Sequence, residues 1–147
     1  MGISKPGTVT RKPMAELKLA AQPEMIATAK RTATSLGSML GFSLEDLDEL
    51  NIAVAQACDS AIEAGREAWG EEATLKLSFF STEKGLEVEV QAVQPRSPHP
   101  LPLAKQRVHD ATLDRIAQDM IRCFVDDFHP SVSSTRVRFR LVKYLIG

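Results

Sequence analysis

Cysteine and histidine are the side chains best able to hold a metal or to serve as nucleophile and base, and this chain has two cysteines and three histidines. Cys58 and Cys123 both sit in helical patterns among apolar neighbours, where a free thiol is expected to be buried as a small hydrophobe. His99, His109 and His129 are scattered, and none stands at ligand spacing from either cysteine, so no metal site is expected. Charge alternates along two stretches instead. Glu87, Glu89 and Gln91 interleave with Leu86, Val88 and Val90, while Arg136, Arg138 and Arg140 interleave with Val137, Phe139 and Leu141. If both polar faces lie on one exposed side of a sheet, the arginines pair with the acids across strands, and the basic strand is not a nucleic-acid surface. The formal charge of -1, from 18 basic and 19 acidic side chains, gives no global field for nucleic acid or acidic lipid. No run approaches the ~18 apolar residues that a membrane span needs, and no leader pattern is read at the start. The expectation is a cytoplasmic protein with neither nucleic acid nor membrane as partner.

The elements that must position these residues follow from periodicity. With 147 residues, 44% of them hydrophobic, the chain can bury one real core without staples. Residues 1–13, with Lys5, Arg11 and Lys12, show no periodicity and are expected to form a flexible arm, leaving 14–147 as a single domain. Glu16-Leu17-Lys18-Leu19 alternates as a short strand. Gln22-Pro23-Glu24 opens a helix whose apolar stripe is Ile26, Ala29, Ala33, Leu36 and Leu40, and Gly41 ends it. Ser43 and Asp46 mark the next start as in a capping box, with Phe42 and Leu47 as a hydrophobic staple. That helix presents Leu47, Leu50, Val54, Ala57 and Ala61 and is expected to run to about Arg66. Strands at Leu75–Phe79 and Leu86–Val90 flank the turn Glu83-Lys84-Gly85, each with one face on the core and one on water. Four prolines between Pro95 and Pro102 predict an extended loop over 94–107. A last helix is expected with Leu113, Ile116, Met120, Cys123 and Phe124 as its stripe, followed by the basic strand or a strand pair. Phe80, on the outer face of its strand, reads as a sticky position. The predicted fold class is α+β, a two-layer sandwich with helices on one face of a mainly antiparallel sheet.

This order, together with particular segments, resembles the bacterial anti-sigma-factor serine kinases of the histidine-kinase-like ATPase superfamily. The segments are Ala15-Glu16-Leu17-Lys18-Leu19, the helix after Pro23, Gly41-Phe42-Ser43-Leu44-Glu45-Asp46, the helix from Leu50 to Ala61, and the ending from Arg122 to Asp127 and from Ser134 to Val142. The likeness covers roughly residues 15–145 and is most specific over 41–61. It implies the histidine-kinase-like ATPase fold, and a protein that silences a sigma factor by binding it and phosphorylates a small antagonist on Ser or Thr with ATP and magnesium.

The family's site residues carry over unevenly. Its long helix has a Glu that aligns or deprotonates the attacking hydroxyl and, four residues on, an Asn that holds magnesium; the matching positions here are Gln56 and Ser60. Gln56 has the shape of Glu without its basicity, and Ser60 is too short to reach the metal directly. Asp59 is a nearby carboxylate, expected about 100° off that helical face. The family's adenine-binding Asp corresponds to Ala92, which offers no acceptor. The family's phosphate-cradling glycines correspond to Arg115 and Ala117, whose side chains obstruct close backbone approach. Thr135 matches the family's late Thr. The expected function is therefore a regulatory module that binds a sigma factor or an anti-sigma-factor antagonist, with a degenerate ATP site, no kinase activity and no cofactor. A homodimer is compatible with the family. One alternative is an active ATP- and magnesium-dependent serine kinase, with Asp59 on the metal and Arg115 on the phosphate. The other is an unrelated α+β domain that binds a small molecule.

Overall fold

The computed structural model describes residues 10–95 and 113–145. Strand β1 (Arg11–Ala20) leads through a 3-10 turn at Pro23–Met25 into helix α1 (Ile26–Leu40) and then α2 (Leu44–Trp69). Strands β2 (Thr74–Thr82) and β3 (Gly85–Val93) form a hairpin; helix α3 (Leu113–Phe124) and strands β4 (Asp127–Val132) and β5 (Arg136–Tyr144) complete the order. The strands make one antiparallel sheet in the order β1-β2-β3-β5-β4. The described helices pack on one of its faces, α2 lying against β3 and β5 with α1 and α3 beside it. This is the α+β sandwich that the sequence predicts, and it is consistent with a histidine-kinase-like ATPase fold.

Local chemistry explains the helix boundaries. Gly41 closes α1 in the left-handed conformation, at φ 97°, and its N–H reaches back to carbonyls of the last turn. Ser43 Oγ accepts from the N–H of Asp46 at 3.1 Å, capping α2 as expected, and Phe42 and Leu47 are both buried beside the cap. Leu50, Val54, Ala57, Cys58 and Ala61 of α2 are fully buried, as are Leu75, Leu77, Phe79, Val88, Val90 and Leu141 of the sheet. The helix ends at Trp69, three residues beyond the expected Arg66, because Ala68 and Trp69 still have core to cover.

Four expectations are corrected. Arg11, Lys12 and Pro13 belong to β1, opposite Thr82, Ser81 and Phe80, so strand pairing takes in the end of the expected arm; residues 1–9 lie outside the described chain. Strand β3 is buried on both faces, with Glu87 at 1% exposure, because arginines from β1 and β5 lie over its polar side. The stripe of α3 is rotated by one residue: Ile116 is 79% exposed and Met120 44%, while Ile121 is buried at 1%. Ala117, Ile121 and Phe124, at steps of four and three, are the set turned toward the fold. Cys123 is accordingly exposed and only Cys58 is buried. The side chains of Leu113 and Asp114, the loop from 96 to 107, and His99 and His109 lie outside the described residues.

Candidate functional site

The long helix α2 carries the candidate residues, and two features fix its position. Its cap and staple hold the N-terminal end. Near its other end, Gly65 lets it approach β3 closely: a Cβ at Gly65 would stand 2.7 Å from the Cβ of Ala92. Ala92 has no exposed surface. Ala92, where the resemblance would set a purine-binding acid, is thus a methyl group in the core, facing a glycine.

Gln56 and Ser60 are joined, the Gln56 side-chain amide donating to Ser60 Oγ at 3.3 Å. Ser60 is buried at 7% exposure. Gln56 is half-buried and opens on a cleft of about 660 Å³ along the outward side of α2, between α1 and α3. Asp59, expected off the Gln56 face, lines the same cleft, because residues three apart are also neighbours on a helix. The cleft therefore holds a carboxylate, while Ser60 is turned beneath it. Arg115 is exposed on α3 and Ala117 half-buried, and neither lines that cleft. Thr135 lies in the β4–β5 turn, where its carbonyl accepts from the Gln94 N–H at 2.9 Å, placing it at the sheet end that also carries Ala92. The structure joins Gln56, Asp59 and Ser60, and leaves Ala92, Arg115, Ala117 and Thr135 apart from them.

Sequence reasoning missed Lys30, Asp48, Asn51 and Met120, which also line the cleft. The Asn51 amide donates to Thr34 Oγ1 at 2.6 Å, and its carbonyl oxygen is buried without a partner in the structure. The signal was legible: Asp48, Asn51, Ala55 and Asp59 recur at steps of three and four on the side of α2 opposite its apolar stripe. Lys30, Asp48 and Asp59 can orient a polar group electrostatically. Among the described residues, no three His, Cys, Asp or Glu side chains stand together as a ligand set for a metal.

The thiol of Cys58 is pushed up to about 12 by burial, with the Asp59 charge adding to it, which disfavours the thiolate at neutral pH. On the opposite face of the sheet, Glu87 accepts from Arg11 and from Arg140 at 3.1 Å. Glu89 accepts from Arg138 and from Arg11. Burial pushes the Glu89 carboxyl up, but the hydrogen bonds from Arg11 and Arg138 outweigh it and hold it below its usual value. Arg136 donates to Gln91 at 3.2 Å. The basic strand is paired across the sheet with β3, as its alternation suggested, and Phe80 lies under the Arg11 guanidinium at 4.0 Å rather than open to solvent.

No family model matches the chain. Among curated proteins it is similar to the serine-protein kinase RsbW of Bacillus licheniformis, 31% identical over 75 residues, which make up 51% of this chain and 47% of that protein. The RsbW of Bacillus subtilis is 33% identical over 76 residues, 51% of this chain and 46% of the relative. That of Halalkalibacterium halodurans is 28% identical over 90 residues, 61% and 50% of the two chains. The chain spans about half the length of the curated relatives it matches.

Proposed function

We propose that this chain, a distant member of the anti-sigma-factor serine kinases, is a regulatory protein-binding module whose nucleotide site is degenerate. The observation that carries the reading is Ala92. At the position matched to the family's purine acceptor there is a buried methyl packed toward Gly65, with neither an acceptor nor exposed surface. A purine amino group recognised there would lose its hydrogen bond, and an unpaired buried donor costs about 1–3 kcal/mol. Ser60 is occupied by Gln56 and buried, so it is poorly disposed to hold magnesium. These residues do not fit ATP and magnesium held in the family's manner. What remains is the family's other capacity, binding a sigma factor or an anti-sigma-factor antagonist.

One observation favours the active-kinase reading. Asp59 stands beside Gln56 on an open cleft, where a carboxylate suits a hard cation. Titration calorimetry of the whole chain with ATP and magnesium separates the two. No heat of binding at millimolar nucleotide is expected. Saturable, magnesium-dependent binding in the micromolar range, removed by Asp59→Asn, would establish the kinase reading instead. The binding role is tested by mixing the chain with sigma factors and antagonist domains encoded in the same genome and separating complexes by size; failure with every one of them would count against the module.

A further inference from the structure

The sheet face away from the described helices carries a second feature, at the end where β1, β2 and β3 meet the residues before Pro95. Lys18 of β1 stands directly opposite Lys76 of β2, Lys76 opposite Gln91 of β3, and Gln91 opposite Arg138 of β5. Arg136 reaches into the same row by donating to Gln91. Like charges set directly opposite one another destabilise a sheet. Carboxylates relieve this row only in part: Glu16 is 3.6 Å from Lys76, and Glu89 is shared between Arg138 and Arg11. Lys18 is exposed and has no carboxylate partner among the described residues. Beside the row lies a depression of about 650 Å³ lined by Lys18 and Lys76 together with Glu16, Thr74, Val93 and Pro95.

We propose that this cationic row is a docking surface for an acidic protein segment, a role distinct from the α2 cleft and independent of the anti-sigma reading. Charge complementarity selects the class of partner. An extended acidic segment laid across the strands meets Lys18 and Lys76 at about the 4.8 Å spacing of neighbouring strands, then Arg136 and Arg138 across Gln91. Nucleic acid is disfavoured: no aromatic ring stands in the row for a base to stack on, since Phe80 lies under Arg11.

The test is fluorescence anisotropy of labelled decaglutamate with the whole chain at low ionic strength, beside a single-stranded DNA of equal length and inorganic phosphate as competitor. Saturable peptide binding is expected, weakened about tenfold or more by Lys18→Gln/Lys76→Gln and unchanged by Arg31→Gln on α1. Because the pair repels, Lys18→Gln alone is expected to raise the thermal midpoint while weakening binding, a combination that misfolding cannot produce. The proposal is overturned if the peptide does not bind, if the double variant binds as well as the parent, if DNA binds more tightly than the peptide, or if phosphate at equal charge displaces the peptide completely. Salt-sensitive self-association removed by the same substitutions would assign the face to the acidic helix of a second copy, and would likewise overturn it.

Discussion

Ala92 and Gly65 set how closely α2 can approach β3, and both are small for that reason. Ala92→Asp places an unpaired carboxylate in a fully buried position and is expected to cost about 3–5 kcal/mol in urea unfolding. Gly65→Ala sets two methyl carbons 2.7 Å apart and is expected to cost about 1–3 kcal/mol. The difference at position 92 was readable as a residue type; its packing was not, because the glycine it faces lies far away in the chain. The cysteines divide in the same way. One thiol, Cys123, is expected to react rapidly with a thiol reagent and Cys58 only on unfolding. Folding raises the Cys58 pKa from 9.0 to about 12, so between those values the unfolded chain binds fewer protons than the native one. Stability is therefore expected to fall with rising pH over that window, and less steeply in Cys58→Ala.

At the scale of elements, periodicity was informative wherever one stripe competes with no other. Helix α1, the cap of α2 and the β2–β3 hairpin follow from it. Helix α3 did not, because Ile116 and Met120 form a second, overlapping apolar series, and only packing against α2 decides which one is buried. The double burial of β3 was also hidden, since Glu87 and Glu89 look like solvent residues until the arginines of β1 and β5 are laid over them. Glu89 shows how much that cover matters. Glu89→Gln leaves Arg11 and Arg138 without its charge, and a loss of about 1–3 kcal/mol is expected near neutral pH, below the full value for a buried pair because both arginines are partly solvated. Since folding lowers the Glu89 pKa, its contribution is complete above the ordinary carboxyl value and disappears as pH falls through the folded value. The gap between parent and Glu89→Gln, followed by urea unfolding, should accordingly close on acidification.

Among the described residues, the two layers differ in charge. The outward sheet face carries Arg11, Lys18, Lys76 and the arginines of β5, offset in part by Glu16, Glu87 and Glu89, and the long helix on the other side exposes Glu45, Asp48, Asp59, Glu63 and Glu67. Lys143 is a cation that crosses between the layers. It belongs to β5, is only 7% exposed, and donates to Glu49 of α2 at 2.6 Å and to the carbonyl of Phe124, the last residue of α3, at 2.9 Å. It therefore satisfies a helix C-terminus and ties three elements at one point. Among the described residues, other anchors of α3 are Ile121, which is buried, Ala117 and Phe124, which are half-buried, and Arg122, which lies over the Phe128 ring at 5.2 Å, while Ile116 and Met120 face outward. Lys143→Met keeps the length and volume of the side chain but removes both hydrogen bonds. Glu49, partly exposed, can then take water, so the global loss is expected to stay near 1–3 kcal/mol. The larger effect is local. Amide hydrogen exchange of the native protein should quicken in α3 by more than in α2 or the β2–β3 hairpin, because a helix at the edge of the core, with Ile121 its one fully buried side chain among those described, opens before the core does. Uniform quickening across all elements would show instead that Lys143 holds the fold as a whole and is not the tether of α3.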